Sequence, residues 1–308
     1  MSTPAGPRLV AIVGPTASGK SALALRLAGE AGGEIVSCDS LQVYRGLDIG
    51  SAKASPAERA LVPHHLLDVV DPDQPFSAAD YARLAAAAAA AVTARGGLPL
   101  VAGGTGLYLR ALLSGLFEGP SRDAPLRARL ERTARRFGDA RLHRLLRRVD
   151  PAAAARVAVN DRVRVIRALE VYLASGRPIS EHFRRPAAPP LAGYRVLRVA
   201  LDPGRDALRA RVEARADAML AAGLVEETRA LLERYPQVPP PLRAIGYREA
   251  TRVVRGESTV AEARRDMVAA TMRYAKRQRT WFRHQEPGLV WFADADEALR
   301  AVRAWLAD

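Results

Sequence analysis

The 308-residue chain contains only one cysteine, Cys38. A single cysteine excludes a disulfide within the chain and a zinc site built on several cysteines. No apolar run reaches the ~18 residues that cross a bilayer, and the first residues lack the charged and apolar regions of a secretory leader. The alanine run at 85–91 favours a helix instead. We therefore expect a cytoplasmic protein that does not contact a membrane.

Histidine is scarce as well, with five residues in all. His64 and His65 are adjacent, but the other three lie far away in sequence and no cysteine can join them, so a zinc site is not expected. Cys38 is expected to be a small buried residue, because nothing in its neighbourhood favours a thiolate nucleophile.

Lysine is the third scarce residue, since 44 of the 47 basic side chains are arginines. Residues 1–118 hold 9 basic and 10 acidic side chains, whereas residues 119–308 hold 38 and 23. Within that second part, residues 120–185 carry 17 basic and 7 acidic side chains. An arginine-rich composition explains the choice of arginine over lysine, but it does not explain this asymmetry. The distribution therefore favours nucleic-acid binding over a merely solvated basic surface.

Strand and helix patterns alternate through the first 118 residues, which predicts an α/β fold with a parallel sheet flanked by helices. Ligands of such sheets bind at the carboxyl ends of the strands. Residues 120–190 show only helical spacing, which predicts a helical insertion into a core made of residues 1–119 and 191–308. The predicted strands are 9–13, 34–37, 98–102, 195–201 and 289–292, and the main predicted helices are 22–28, 78–94, 205–234, 245–254 and 259–285.

The stretch GPTASGKS at 14–21 follows the first predicted strand and precedes a helix. This spacing is that of a P-loop, whose backbone N–H groups bind phosphate oxygens. Lys20 is expected to contact a terminal phosphate, and the Ser21 hydroxyl to ligate Mg²⁺. The motif alone fits a kinase, an NTPase or a prenyltransferase equally. Its predicted phosphate-binding residues are Gly14, Pro15, Thr16, Ala17, Ser18, Gly19, Lys20 and Ser21.

Polar residues also follow the next two predicted strands. Asp39 comes directly after the second strand and could be a magnesium ligand, a base or a helix cap. Thr105 follows the Gly103-Gly104 pair at the end of the third strand, and by itself it would be a helix cap. No acidic residue stands there, so the hydrolytic apparatus of an NTPase is not indicated.

Eight stretches, taken together in their order along the chain, are more specific than the P-loop alone. The stretches are GPTASGKS, SCDSLQVYRGLDIGSAK, PHHLLDVVDP, VAGGTGLYLRALL, DPAAAARVAVNDRVRVIRALEV, RADAMLAAGLVEETRALL, RAIGYREA and RYAKRQRTWFR. Over residues 9–292 they resemble bacterial tRNA dimethylallyltransferases, the delta(2)-isopentenylpyrophosphate tRNA transferase family. This resemblance implies a P-loop NTPase-like sheet with a helical insertion that binds the tRNA anticodon stem-loop.

The resemblance implies transfer of a dimethylallyl group from dimethylallyl pyrophosphate to N6 of the adenine next to the anticodon, at position 37. The P-loop and Arg215 would then hold the pyrophosphate with Mg²⁺ as cofactor. Asp39 would be the general base, since an aspartate is ordinarily ionised at neutral pH. Thr105 would lie near both reacting groups. No protein partner is implied, and a monomer is the default.

The tRNA contacts implied by the resemblance fall in several segments. One of them departs from the family pattern, because Val163 stands where a glutamine is common, so no amide hydrogen bond is expected there. Tyr274 and Trp281 are seven residues apart on one helix face, which favours core positions over base stacking. The implied tRNA-binding residues are Asp39, Ser40, Leu41, Gln42, Arg127, Arg164, Arg167, Arg243, Gly246, Tyr247, Arg248, Lys276, Arg277, Arg279 and Arg283.

Three alternative functions stay open from the residues themselves. A small-molecule P-loop kinase leaves the basic half unexplained, and a nucleic-acid-binding NTPase lacks the acidic residue noted above. An isopentenyltransferase that acts on free adenine nucleotides shares the chemistry, but it would not need the basic insertion.

Overall fold

The computed structural model of the protein describes residues 6–117, 119–184 and 188–308. The chain divides into two compact units. The first comprises Met1–Leu113 and Pro190–Asp308, and the second comprises Ser114–Pro189. Among the described residues, no helix is both long and apolar enough to cross a membrane.

Within the described residues, a parallel six-stranded sheet forms the centre of the first unit. Its strand order is β3-β2-β4-β1-β5-β6. The central strands are mostly apolar, because helices cover both faces of the sheet. The strands are β1 Arg8–Val13, β2 Gly33–Cys38, β3 His64–His65, β4 Leu98–Gly103, β5 Arg195–Leu201 and β6 Val290–Phe292.

The pairing register aligns the ends of the three central strands. Val13 pairs with Gly103, and Gly103 pairs with Cys38 on its other side. The loops that follow β1, β2 and β4 therefore begin at the same level, on the carboxyl edge of the sheet where ligands of such folds bind. The P-loop, Asp39 and Thr105 are the residues that follow these ends.

Helices of the first unit cover the sheet and build a third layer. One face carries a core with Tyr81 and Phe282, and the other a core with Leu27 and Val302. A separate core around Met267 joins the later helices to the loop that follows β2. The helices are α1 Lys20–Ala31, α2 Pro56–Leu61, α3 Ala78–Ala94, α4 Gly106–Ser114, α10 Arg205–Ala221, α11 Leu224–Arg234, α12 Tyr247–Val254, α13 Val260–Gln285 and α14 Ala295–Ala307.

The second unit consists of short helices around its own core of leucine, valine and alanine side chains. Inside it lies a buried carboxylate, Glu170, which no solvent reaches. It accepts a hydrogen bond from the Asp123 N–H at 2.9 Å and contacts Arg167 at 3.0 Å and Arg127 at 3.8 Å. The helices are α5 Ala124–Phe137, α6 Asp139–Val149, α7 Pro151–Ala154, α8 Arg162–Ser175 and α9 Ile179–His182.

The structure differs from the sequence-based element prediction in a few places. The single helix predicted over 205–234 is two helices, because Gly223 adopts a left-handed φ of 96° between α10 and α11. The short strand at His64–His65 and the terminal helix Ala295–Ala307 were not predicted. Two residues are too few to show the alternating pattern of a strand.

The buried Glu170 makes the stability of the second unit depend on its arginine partners. Replacing Arg167 by methionine removes the nearer of the two, so we expect the free energy of unfolding to fall by about 2–3 kcal/mol in urea titrations. Arg164→Ala is the matched control, because that side chain is exposed and should change the value by less than about 0.5 kcal/mol. Equal effects of the two substitutions would contradict the role given to Glu170.

Candidate active site

A cavity of about 420 Å³ opens in the first unit at the carboxyl edge of the sheet. The P-loop contributes Thr16, the loop after β2 contributes Asp39, and helices α10 and α13 contribute four residues each. The lining residues are Thr16, Asp39, Ser40, Leu41, Gly50, Ser51, Val212, Arg215, Ala216, Met219, Arg243, Ala244, Ile245, Gly246, Arg248, Met267, Thr271, Tyr274 and Arg277.

The P-loop is held in place by side chains that come from distant parts of the chain. Arg211 donates to the Ser18 carbonyl at 2.9 Å, and Arg215 donates to the Thr16 hydroxyl at 3.3 Å. Lys20 donates to the Pro15 carbonyl at 3.2 Å, across the loop itself. These three hydrogen bonds fix the conformation of the loop.

Two cations beside the loop are costly to bury together. Burial, and to a smaller extent the neighbouring Arg215 guanidinium, lower the pKa of the Lys20 ammonium to about 8. Burial also lowers the pKa of Arg215. The Asp39 carboxylate offsets part of this cost for both. A bound anion would relieve the remaining repulsion.

The turn that carries Asp39 is fixed by local hydrogen bonds. Asp39 Oδ1 accepts the Leu41 N–H at 2.8 Å, and the Thr105 hydroxyl accepts the Ser40 N–H at 3.0 Å. Gln42 accepts a hydrogen bond from the Ser37 hydroxyl at 2.8 Å. The helix-cap interpretation of Asp39 is therefore wrong, because its side chain stabilises a turn and no helix begins there. Thr105 does stand directly before α4, and its carbonyl accepts the Tyr108 and Leu109 N–H groups at 3.0 and 3.1 Å, while its hydroxyl holds the turn.

Two carboxylates organise the wall that contains Gly50 and Gly246. Glu227 accepts the Ile49 N–H at 2.8 Å and the Tyr247 hydroxyl at 2.7 Å. Buried Glu249 accepts the Gly246 N–H at 2.8 Å and pairs with Arg248. A Cβ atom at Gly50 would meet the Tyr247 ring at 2.5 Å, so the loop that carries Gly50 packs directly against the start of α12.

The predicted tRNA-binding residues separate into groups. Arg243, Arg248 and Arg277 line the cavity with Asp39, Ser40, Leu41 and Gly246, whereas Tyr247 is fully buried beneath them. Lys276 and Arg279 line a second groove of about 400 Å³. Arg279 and Arg283 both contact Asp202, at 2.6 and 3.7 Å. In the second unit, Arg127 and Arg167 face Glu170, and Arg164 is exposed.

Part of the cavity wall is apolar, and its residues were not predicted as site residues from the sequence. Val212, Ala216 and Met219 lie on the α10 face that also carries Arg215, and Met267 faces them from α13. Val212, Ala216 and Met219 are four and three residues apart, a spacing that predicts one apolar helix face and could have identified them from the sequence. Tyr274 lines the cavity, contrary to the core position predicted for it, while Trp281 packs against the hydrophobic core as predicted.

Metal-ligating side chains do not cluster in the described part of the chain, where no group of three or more His, Cys, Asp or Glu could hold an ion. His65 contacts Glu34 at 2.6 Å, and His64 contacts the Val62 carbonyl at 2.8 Å. Cys38 is buried, and burial raises the pKa of its thiol to about 12, so it is not poised as a nucleophile.

The sequence model of the IPP transferase family matches residues 42–285. The chain belongs to this family. It is 53% identical to a tRNA dimethylallyltransferase from Anaeromyxobacter sp. (strain Fw109-5), with 96% of this chain and 98% of that protein covered. The resemblance proposed from the motifs is confirmed, and the protein is a prenyl-transferring enzyme.

Solved structures confirm the α/β fold of this IPP transferase. A tRNA isopentenylpyrophosphate transferase from Bacillus halodurans is 38% identical with a TM-score of 0.70, covering 97% of this chain and 95% of that one. A eukaryotic dimethylallyltransferase acting on tRNA is 25% identical with a TM-score of 0.81, covering 98% and 80%.

The lowered pKa of Lys20 predicts how anion binding depends on pH. Lys20 is charged below about pH 8 and neutral above it, so the affinity for inorganic pyrophosphate should fall as the pH rises through that value. In calorimetric titrations, the affinities of the wild-type enzyme and of Lys20→Met for pyrophosphate should differ below about pH 8 and converge above it. The variant serves as the control, because pyrophosphate itself also ionises with pH and this affects both proteins equally. A constant ratio of affinities up to about pH 10 would contradict this assignment.

Proposed function

We propose that the enzyme transfers a dimethylallyl group from dimethylallyl pyrophosphate to N6 of adenine 37 in tRNA. The observation that carries this proposal is the cavity at the sheet edge, which Asp39, the P-loop residue Thr16 and Arg215 line together. A leaving group, an allyl chain and an adenine acceptor need three different surfaces. The cavity wall offers a P-loop residue beside Arg215, an apolar face and a group of arginines, which supports the proposal.

The pyrophosphate would lie against the P-loop, where backbone N–H groups, Lys20 and Arg215 stabilise the negative charge that develops as the C1–O bond breaks. The five-carbon chain would lie against the apolar wall of Val212, Ala216 and Met219. That wall buries the allyl group and keeps water away from its electrophilic carbon.

The adenine would enter beside Asp39, and the arginines at the cavity wall would contact the flanking phosphates of the RNA. The N6 lone pair is delocalised into the ring, so attack on C1 requires loss of an N6 proton. The Asp39 carboxylate would accept that proton as the new N–C bond forms and pyrophosphate departs. The target base has to leave its stack, which favours an anticodon loop over a duplex as the substrate.

Magnesium is the cofactor that we propose, held mainly by the pyrophosphate. Mg²⁺ commonly keeps several waters and takes few protein ligands beside substrate phosphates. The donor set fits this mode, because Ser21 is exposed at the start of α1 and no cluster of acidic ligands occurs among the described residues. The ion would neutralise part of the leaving-group charge, and Ser21 would contribute one hydroxyl ligand.

The reaction is tested with radiolabelled dimethylallyl pyrophosphate, Mg²⁺ and an anticodon stem-loop in which adenine 37 is present or replaced by guanine. We expect label only on the adenine-bearing RNA. A parallel tube with free AMP distinguishes a tRNA enzyme from a prenyltransferase of free nucleotides, because only the latter would label AMP. ATP turnover without any transfer of label would replace our proposal with a kinase or NTPase function.

Asp39→Asn should lower the single-turnover rate constant by about 10²- to 10⁴-fold, the range for loss of a general base. The amide keeps an oxygen for the Leu41 N–H, so the turn and the affinity for tRNA should be preserved within about tenfold. Rapid-quench assays and filter binding measure the two quantities. Substantial activity in Asp39→Asn would remove this residue as the base.

Arg164 is the exposed arginine of the second unit that we propose as a phosphate contact. Arg164→Ala should weaken tRNA binding and reduce the slope of log Kd against log salt by about one unit, because one counterion-releasing contact is lost. Val163→Ala, a neighbouring exposed position, is the uncharged control. An unchanged slope in Arg164→Ala would mean that this guanidinium does not touch the RNA backbone.

A further inference from the structure

One buried side-chain amide joins the P-loop to the loop that follows β4. Gln278 Oε1 accepts the Thr16 N–H at 2.8 Å, and Gln278 Nε2 donates to the Gly104 carbonyl at 2.8 Å. The side chain is only 7% exposed. Because one partner is a donor and the other an acceptor, a single orientation of the amide satisfies both bonds.

The packing of α13 explains why this bridge can form. Gln278 and Trp281 lie three residues apart on the helix, and they cover Gly104 and Gly106 respectively. A Cβ atom at either glycine would overlap the side chain above it, with Gln278 Nε2 the atom met at Gly104. The helix therefore approaches the loop as closely as glycine permits.

We propose that Gln278 is a positioning residue that sets the separation between the leaving-group loop and the acceptor side of the cavity. The proposal rests on the function proposed above. Thr16 belongs to the loop assigned to pyrophosphate, and Gly104 precedes Thr105, whose hydroxyl holds the turn that carries Asp39. The bridge thus connects the loop assigned to the leaving group with the loop that supports Asp39. The alignment of the two reactants within fractions of an ångström controls the rate.

The same geometry predicts an effect on rate and not on affinity. While the bridge is intact, the Thr16 N–H is already bonded and is not offered to phosphate. Pyrophosphate binding would then depend on the later N–H groups of the loop and on Lys20, which Gln278 does not contact. Loss of the amide would misalign the loops without removing a ligand contact.

The first test compares Gln278→Ala with Gln285→Ala, a control on the same helix whose side chain is exposed. We expect Gln278→Ala to lower the single-turnover rate of dimethylallyl transfer by about 10- to 100-fold. Its affinities for inorganic pyrophosphate and for the stem-loop should stay within about threefold of wild type, and the melting temperature should show that the variant folds. Gln278→Glu restores only the Thr16 bond, so its rate should not recover fully.

A second variant makes the test specific for the bridge. Gly104→Ala should displace the Gln278 amide and slow transfer by itself, whereas in a Gln278→Ala background the new methyl group has room. The double variant should therefore be no slower than Gln278→Ala alone, because the two changes act on one contact.

Additive losses in the double variant would overturn the proposal. So would a Gln278→Ala enzyme that binds pyrophosphate about tenfold more tightly at an unchanged rate, since Gln278 would then compete with phosphate for Thr16. A wild-type enzyme that labels no RNA would be a failure of the proposed function itself. Additive variants of an active wild-type enzyme would be a failure of the Gln278 bridge alone.

Discussion

The register of the three central strands is the constraint on which the active site depends. Val13, Gly103 and Cys38 lie level across the sheet. The P-loop, Asp39 and Thr105 therefore lie at the same edge, each within two residues of the end of its strand. A slip of one residue in either pairing would move one loop along the strand direction by about 3.3 Å and turn its side chains to the opposite face. The backbone pairing therefore fixes where the three loops begin.

Helices α10 and α13 hold the P-loop and supply part of the cavity wall. Their side chains Arg211, Arg215 and Gln278 all contact the P-loop, although each lies more than 190 residues from its partner in sequence. Two like charges, Lys20 and Arg215, are held beside each other at a cost that an anionic ligand would offset. Such a pair of buried cations costs stability, which favours a functional role for it over a stabilising one.

Much of this arrangement could be predicted from the sequence, because its signals are local. The P-loop motif, the strand ends and the bounds of α3 follow from short-range patterns. The partners of Thr105 and Gln278 could not be predicted, since both form bonds across the fold. Arg127 and Arg167 were expected at the RNA, yet both contact the buried Glu170, whose burial no local pattern reveals. Their role in RNA binding stays a prediction.

The central claim is that both substrates meet in one cavity and react by direct displacement. The stereochemistry at C1 tests this most directly, using dimethylallyl pyrophosphate made chiral by one deuterium at that carbon. Attack by N6 from the side opposite the pyrophosphate predicts inversion of configuration in the modified adenosine. Retention would require a covalent intermediate on the protein, and racemisation would require a free allyl cation; either result would contradict the account.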